Sequence, residues 1–266
     1  LYQGAPLTIP HGQPGEHEGN PPFFAMTQQL DADYTAWQEP GGNGIHGFHP
    51  HLVTPEVRRH CVEVYYGMVT MMDKYIGQIL DKLDALGLTE STLVVFTTDH
   101  GHLFGQHDLT SKGPFHYEDL LKVPFIAAQP GTLPADTVSD QFVSLVDLMP
   151  TLLDAVGQPV PGGLDGRSQW SAWRGKAPAV RDHVLVENRH QPHTLHLLTR
   201  VDRRYKITVY KNRDYGELFD LEKDPGEFHN RWNDPAAQAL KQNLLAKLDR
   251  RSLTNDPPPM PRVAIA

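Results

Sequence analysis

The chain has 266 residues, 39% hydrophobic and 21% charged, with a formal net charge of −8. That is the balance of a globular protein with one large domain, or one domain and a smaller one. The negative charge and the lack of a basic stripe argue against a nucleic-acid surface, and no apolar run approaches the roughly 20 residues of a membrane span. A single cysteine, Cys61, excludes an intrachain disulfide and leaves the redox compartment open.

Leu1-Tyr2-Gln3-Gly4 shows no initiator methionine, basic n-region or apolar h-region, so the chain is expected to be the middle of a longer one. Residues 11–53 are rich in proline, glycine and histidine and have little periodicity, which reads as a variable loop. His46, His49 and His51 are enough imidazole for a metal cluster, but substrate-side or solvated loop residues are the preferred reading. Residues 55–86 are the clearest helix, with Thr54 as cap, Pro55 at the first position and Gly87 just past the end. Val57, Cys61, Val64, Met68, Met71, Tyr75, Ile79, Leu83 and Leu86 recur at spacings of three and four. This face is expected to pack on the following strand, with Met68, Met71 and Met72 as core filler and Cys61 buried and inert.

Leu93–Thr98 is an apolar β-branched run composed for burial on both faces. Asp99, His100 and Gly101 follow at its carboxyl end, where open α/β sheets place ligand crevices. A carboxylate and an imidazole can both ligate a divalent cation. Adjacent side chains of an extended strand diverge, so both reach one ion only if the backbone turns after Thr98, a turn that Gly101 eases. The long polar segment that follows, with His102, His107, Lys112, His116 and Tyr117, is the kind of loop that is functional when ordered. A second strand-like run covers residues 123–128. Residues 129–143 read as a loop. Leu145–Val156 reads as a helix with Pro150 forcing a kink or a late start, and residues 162–168 as a turn-rich connector. Short strands at 183–187, 194–199, 205–210 and 217–220 with brief turns predict an antiparallel meander. A helix from about 235 to 250 and an extended proline-containing tail close the chain.

Asp99-His100-Gly101, then Gly105-Gln106-His107, then Lys112 thirteen residues past the aspartate, then Val123-Pro124-Phe125-Ile126, together resemble the sulfatases. These belong to the alkaline phosphatase superfamily, with phosphonate monoester and phosphodiester hydrolases. The pattern Glu-Leu-Phe-Asp-Leu-x-x-Asp-Pro-x-Glu-x-x-Asn from Glu217 to Asn230 resembles the family's C-terminal signature and is read as structural. The resemblance implies an α/β fold. It would be the second half of an alkaline-phosphatase-like mixed sheet flanked by helices, then a small C-terminal antiparallel sheet with a terminal helix. The expected division is 1–175 for the catalytic half-domain and 176–266 for the C-terminal subdomain.

By position, the resemblance makes Asp99 and His100 metal ligands and Lys112 the catalytic and substrate-binding lysine. His107 is placed at the pocket rim as a substrate-binding residue. The implied cofactor is a divalent cation, Ca²⁺ first, with Mg²⁺ or Mn²⁺ as alternatives. Cys61 lacks the Cys-x-Pro-Ser-x-Arg setting from which sulfatases make formylglycine, so that nucleophile is expected upstream, outside this chain. Leu1–Pro10 resembles the stretch after the family's His-x-Pro-Phe motif. The implied activity is hydrolysis of small-molecule or glycan sulfate esters, with this chain a fragment that is inactive alone and leaves the strand at 93–98 partly uncovered. The alternatives are a phosphonate monoester or phosphodiester hydrolase, or a fragment that binds a cation or sulfated glycan without turnover. Family members are often periplasmic, secreted or lysosomal, and the sequence leaves the compartment open.

Overall fold

The computed structural model describes residues 1–37, 47–191 and 195–248. In chain order the elements are α1 (Pro22–Met26), α2 (Pro55–Ala85), β1 (Val94–Thr97), β2 (Leu103–Phe104), β3 (Thr110–Ser111), α3 (Glu118–Leu121), β4 (Phe125–Ala128), α4 (Leu148–Ala155), α5 (Trp170–Trp173), β5 (His183–Gln191), β6 (Leu195–Asp202), β7 (Tyr205–Tyr210), β8 (Gly216–Asp220) and α6 (Gln238–Lys247). They group into two compact units that interleave along the chain. One holds Leu1–Pro6, Val62–His100 and Val123–Val184; the other holds Leu7–Cys61, Gly101–Lys122 and Leu185–Ala266. Segments 7–61 and 101–122 thus fold with the C-terminal sheet, whereas the division expected at 175/176 is a linear one. Among the described residues no helix is long and apolar enough to cross a membrane.

In the first unit β1 and β4 pair antiparallel, from Val94 opposite Ala128 to Thr97 opposite Phe125. The mixed sheet expected here is represented by this pair, and β1 is half-buried along its length. α2 starts and stops where its end signals dictate. The Thr54 hydroxyl accepts the Val57 N–H at 3.3 Å. At the far end Gly87 adopts φ +68°, and the Gly87 and Leu88 N–H groups bond the carbonyls of Asp84 and Leu83. That is the left-handed stop glycine allows. The apolar face of α2 is not core, however. Met68 is 55% exposed, Ile79 67%, and Val64, Met71, Met72 and Tyr75 lie at the surface with them. Cys61 is exposed, not buried. Periodicity establishes that a face is apolar; it does not supply the element that covers it. Pro150 sits in the first turn of α4, preceded by a short 3-10 turn at Leu145–Asp147, so the helix starts late, where the missing N–H costs nothing.

The second unit is built on the sheet β5-β6-β7-β8. The β6/β7 and β7/β8 pairs are antiparallel, close to the predicted meander. Strand alternation sends Leu198, Ile207, Val209 and Leu218 to one face, against Leu244 of α6 and Trp232 from the turn before it. Leu197, Tyr210 and Phe219 go to the other, against Phe23, Phe24, Phe48, Phe115 and Tyr117. The supposedly irregular stretch before α2 therefore supplies the aromatic core. Phe23 alone meets Phe24, Phe48, Phe115 and Tyr210 at centroid distances of 4.9–6.0 Å. Each such buried ring contributes about 1.5–3 kcal/mol.

Candidate active site

β1 ends at Thr97 and the chain bends at Asp99. The Asp99 carboxylate accepts the His100 N–H at 2.9 Å and the Thr98 hydroxyl at 3.1 Å. These hydrogen bonds, His100's first, hold its pKa below the ordinary carboxylate value, so Asp99 is ionised at neutral pH. The bend also turns the two side chains together, with Asp99 Oδ2 and His100 Nε2 3.4 Å apart. Both face solvent, Asp99 at 81% and His100 at 39% exposure. Gly101 has a reason to be glycine other than turn freedom. A Cβ there would lie 1.8 Å from the Asp119 carbonyl oxygen, and its N–H bonds the Leu120 carbonyl at 2.9 Å.

The spacing of the pair fits cation ligation. Two atoms bound at right angles to one ion at about 2.4 Å stand about 3.4 Å apart. Among the described residues no group of three or more His, Cys, Asp and Glu side chains is arranged to hold a metal. Asp99 and His100 by themselves offer fewer donors than the six to eight that Ca²⁺ takes.

Lys112 belongs to the second unit. It is half-buried and directly follows β3, which pairs antiparallel with β2. The hairpin has an unusual conformation, with φ +56° at His107 and +51° at Asp108 in its tip and +66° at Ser111 at the end of β3. Non-glycine residues rarely adopt such angles and hold them only where the surroundings enforce it. Here Arg58 of α2 pairs with Asp108 at 3.0 Å and donates to the Pro10 carbonyl at 3.1 Å. Gln28 donates to the Asp108 carbonyl at 3.1 Å. His107 is buried; its Nδ1 meets Glu16 Oε1 at 3.0 Å, and its ring stacks on Tyr117 at 3.6 Å. Its backbone carbonyl accepts from His17. No sequence spacing announced Arg58, Gln28 or Glu16, since each acts across 48 to 91 residues.

His51 is also buried. Its Nδ1 accepts the Thr110 N–H at 2.9 Å, so Nε2 donates to the Gly47 carbonyl at 3.0 Å. With both nitrogens used it steadies the β3 end of the hairpin, and it is neither a solvated residue nor free to join a metal cluster. His49 stacks on it at 4.2 Å; His46 lies outside the described residues. Burial, then the charge of His49, depresses the His51 pKa to about 4. Burial, then Lys206, depresses that of His116 to about 3.

A pH dependence follows. As pH falls below 6.5 the unfolded chain takes up protons at His51 and His116 that the folded protein refuses until about pH 4 and 3. Their contribution to stability is full above pH 6.5 and declines on acidification. Glu217, raised by burial to about 7, works the other way between 4.5 and 7. His51→Asn is expected to make stability depend on pH less steeply, by one proton, between pH 4.5 and 6. Urea unfolding across that range measures it, and an unchanged slope would show that His51 titrates normally in the fold.

Residues 11–158 match the family described as sulfatase, and residues 105–254 match the family described as N-sulphoglucosamine sulphohydrolase, C-terminal. The chain belongs to the sulfatase family. It is 31% identical over 207 residues to an arylsulfatase of Clostridium perfringens, covering 75% of this chain and 42% of that protein. It is 30% identical over 207 residues to an N-acetylglucosamine-6-O-sulfatase of Bacteroides thetaiotaomicron, covering 73% and 36%. Among solved structures, a phosphonate monoester hydrolase from Silicibacter pomeroyi matches with a TM-score of 0.77 at 27% identity, covering 96% of this chain and 52% of that one. The chain thus spans about two-fifths of the length of these curated sulfatases. The sulfatase match includes the Asp99–His100 bend and the Lys112 hairpin.

Proposed function

We propose that the protein hydrolyses sulfate esters at a centre to which this chain contributes Asp99, His100 and Lys112. The observation that carries the reading is the convergence of an ionised carboxylate and an imidazole at the end of β1, 3.4 Å apart, in a member of the sulfatase family. Asp99 and His100 would hold a divalent cation, Ca²⁺ first by its preference for oxygen ligands, with Mg²⁺ or Mn²⁺ as alternatives. When bound, that ion acts as a Lewis acid on the non-bridging oxygens of the ester. Lys112 brings an ammonium group to the ester, where charge grows on the departing oxygen in the transition state. His107 enters as the anchor of the hairpin, since its burial and its Glu16 and Tyr117 contacts oppose direct reach to a substrate. The substrate class is an aryl or sugar sulfate, by analogy with the relatives named arylsulfatase and N-acetylglucosamine-6-O-sulfatase.

A second reading, phosphonate monoester hydrolysis, is favoured by the likeness to the Silicibacter pomeroyi enzyme. Assaying the full-length protein on matched aryl sulfate and aryl phosphonate esters separates the two. A higher kcat/KM on the sulfate is expected; preference for the phosphonate overturns the first reading. Cation or sulfated-glycan binding without turnover of either ester would instead make this a binding protein. Residues 1–266 alone are expected to turn over neither ester, even with Ca²⁺ saturating, because the only cysteine lacks the formylglycine setting. Turnover above background by that chain in a monodisperse preparation would reveal a nucleophile within it.

A further inference from the structure

Between Lys112 and Glu118 the chain has no helix or strand, yet Pro114, Phe115, His116 and Tyr117 are all buried. The segment that leads away from Lys112 is therefore held by side-chain anchors, while the β2/β3 ladder holds only the side that leads into it. Several lie on the core-facing side of β6, β7 and β8, the face that also carries Leu197, Tyr210 and Phe219. By strand alternation it presents Thr199, Lys206, Thr208 and Glu217, all buried. His116 Nδ1 shares a hydrogen bond with Thr199 Oγ1 at 2.7 Å, and Thr199 with Thr208 at 2.8 Å. One step further, the Glu118 N–H donates to Glu227 Oε2 at 2.6 Å, while Glu227 Oε1 pairs with the Lys206 ammonium. That ammonium lies 5.8 Å from the Tyr117 ring and 5.6 Å from the Phe219 ring. Glu227 reaches inward from a backbone at φ +57°.

Burying both charges of an ion pair is costly, and well-packed apolar residues commonly serve stability as well or better. What an apolar pair cannot do is accept the Glu118 N–H. We infer that Glu227, with Lys206, and Thr199, through His116, are positioning residues for Lys112, so that the C-terminal Asp224-Pro225-Gly226-Glu227 turn acts on the reaction through the segment carrying the lysine. This rests on the reading of Lys112 given above.

The test compares a poor phenol leaving group with an activated nitrophenol, because a lysine that stabilises the departing oxygen matters most when that oxygen leaves reluctantly. In the full-length protein, the double variant Glu227→Leu/Lys206→Met is expected to lose about tenfold or more in kcat on phenyl sulfate. It should lose much less on nitrophenyl sulfate, with KM little changed. Glu227→Gln/Lys206→Met is also neutral but keeps an amide oxygen for the Glu118 N–H, and should recover most of the loss. Thr199→Val, a milder change at the other anchor, should show the same leaving-group pattern and decides the matter if the double variant does not fold. A folded double variant with wild-type kinetics, or with equal losses on both esters, overturns the inference. Lys112→Ala is the control. If it shows the leaving-group dependence and the anchoring variants do not, the inference fails alone; if it shows none, the reading of Lys112 fails and takes the inference with it.

Discussion

Lys112→Ala is expected to lower kcat on an aryl sulfate by about 10²-fold or more, the effect of removing a donor aimed at developing charge. Its melting temperature should barely move. The two halves of that expectation have separate physical grounds. The hairpin that presents Lys112 is held by groups other than its ammonium: Arg58 on Asp108, Gln28 on the Asp108 carbonyl and Glu16 on His107. Removing the lysine side chain leaves those contacts intact. The kinetic effect arises because a fixed positive charge needs no reorganisation when the ester oxygen becomes anionic. Steady-state kinetics with a thermal melt on the same preparation decide it. A large fall in melting temperature with kcat unchanged would make Lys112 a structural lysine.

The second large effect is expected at the end of β1. Asp99→Ala or His100→Ala in the full-length protein should weaken divalent-cation affinity by well over tenfold, since loss of even an outer-shell partner of a metal ligand typically costs about 10–100-fold. Asp99 should be the more damaging, because it supplies the negative charge that opposes the ion's own. Neither change should unfold the protein, as the Asp99 side chain is largely in solvent and that of His100 is only partly covered. Calcium titration calorimetry and metal content after dialysis measure the effect. Wild-type affinity and activity in both variants would remove the pair from the metal site. Asp99→Asn separates charge from shape: it keeps the acceptor for the His100 N–H and loses only the ionised oxygen.

Much of the chain's local structure was legible because local signals decide it. Thr54, Pro55 and Gly87 delimit α2 by satisfying or sparing its end groups. Pro150 delays α4 because a missing N–H is tolerated only in a first turn. Closely spaced short strands with brief turns between them announced the C-terminal meander. The Asp99-His100 pair and Lys112 were singled out by spacing and family resemblance. The anchors were not: Glu16, Gln28, Arg58, Thr199, Lys206 and Glu227 meet their partners across tens of residues, and no local rule marks a charged side chain as buried.

By itself, then, the sequence determined the long helix α2, the strand runs that became β1 and β4, the late start of α4, the C-terminal meander with its terminal helix, and the family. These depend on backbone sterics, capping and periodicity, which act within a few residues. Tertiary structure alone decided three other matters. It brought the Asp99 and His100 side chains to 3.4 Å of one another, a distance that adjacency in the chain leaves open. It placed Phe23, Phe24 and Phe48 in the core of the second unit and left Met68 and Ile79 of α2 in solvent, because burial is a property of neighbours and not of hydrophobicity. And it drew Glu227 to the segment that follows Lys112, where it accepts the Glu118 N–H and pairs with Lys206 of the C-terminal sheet.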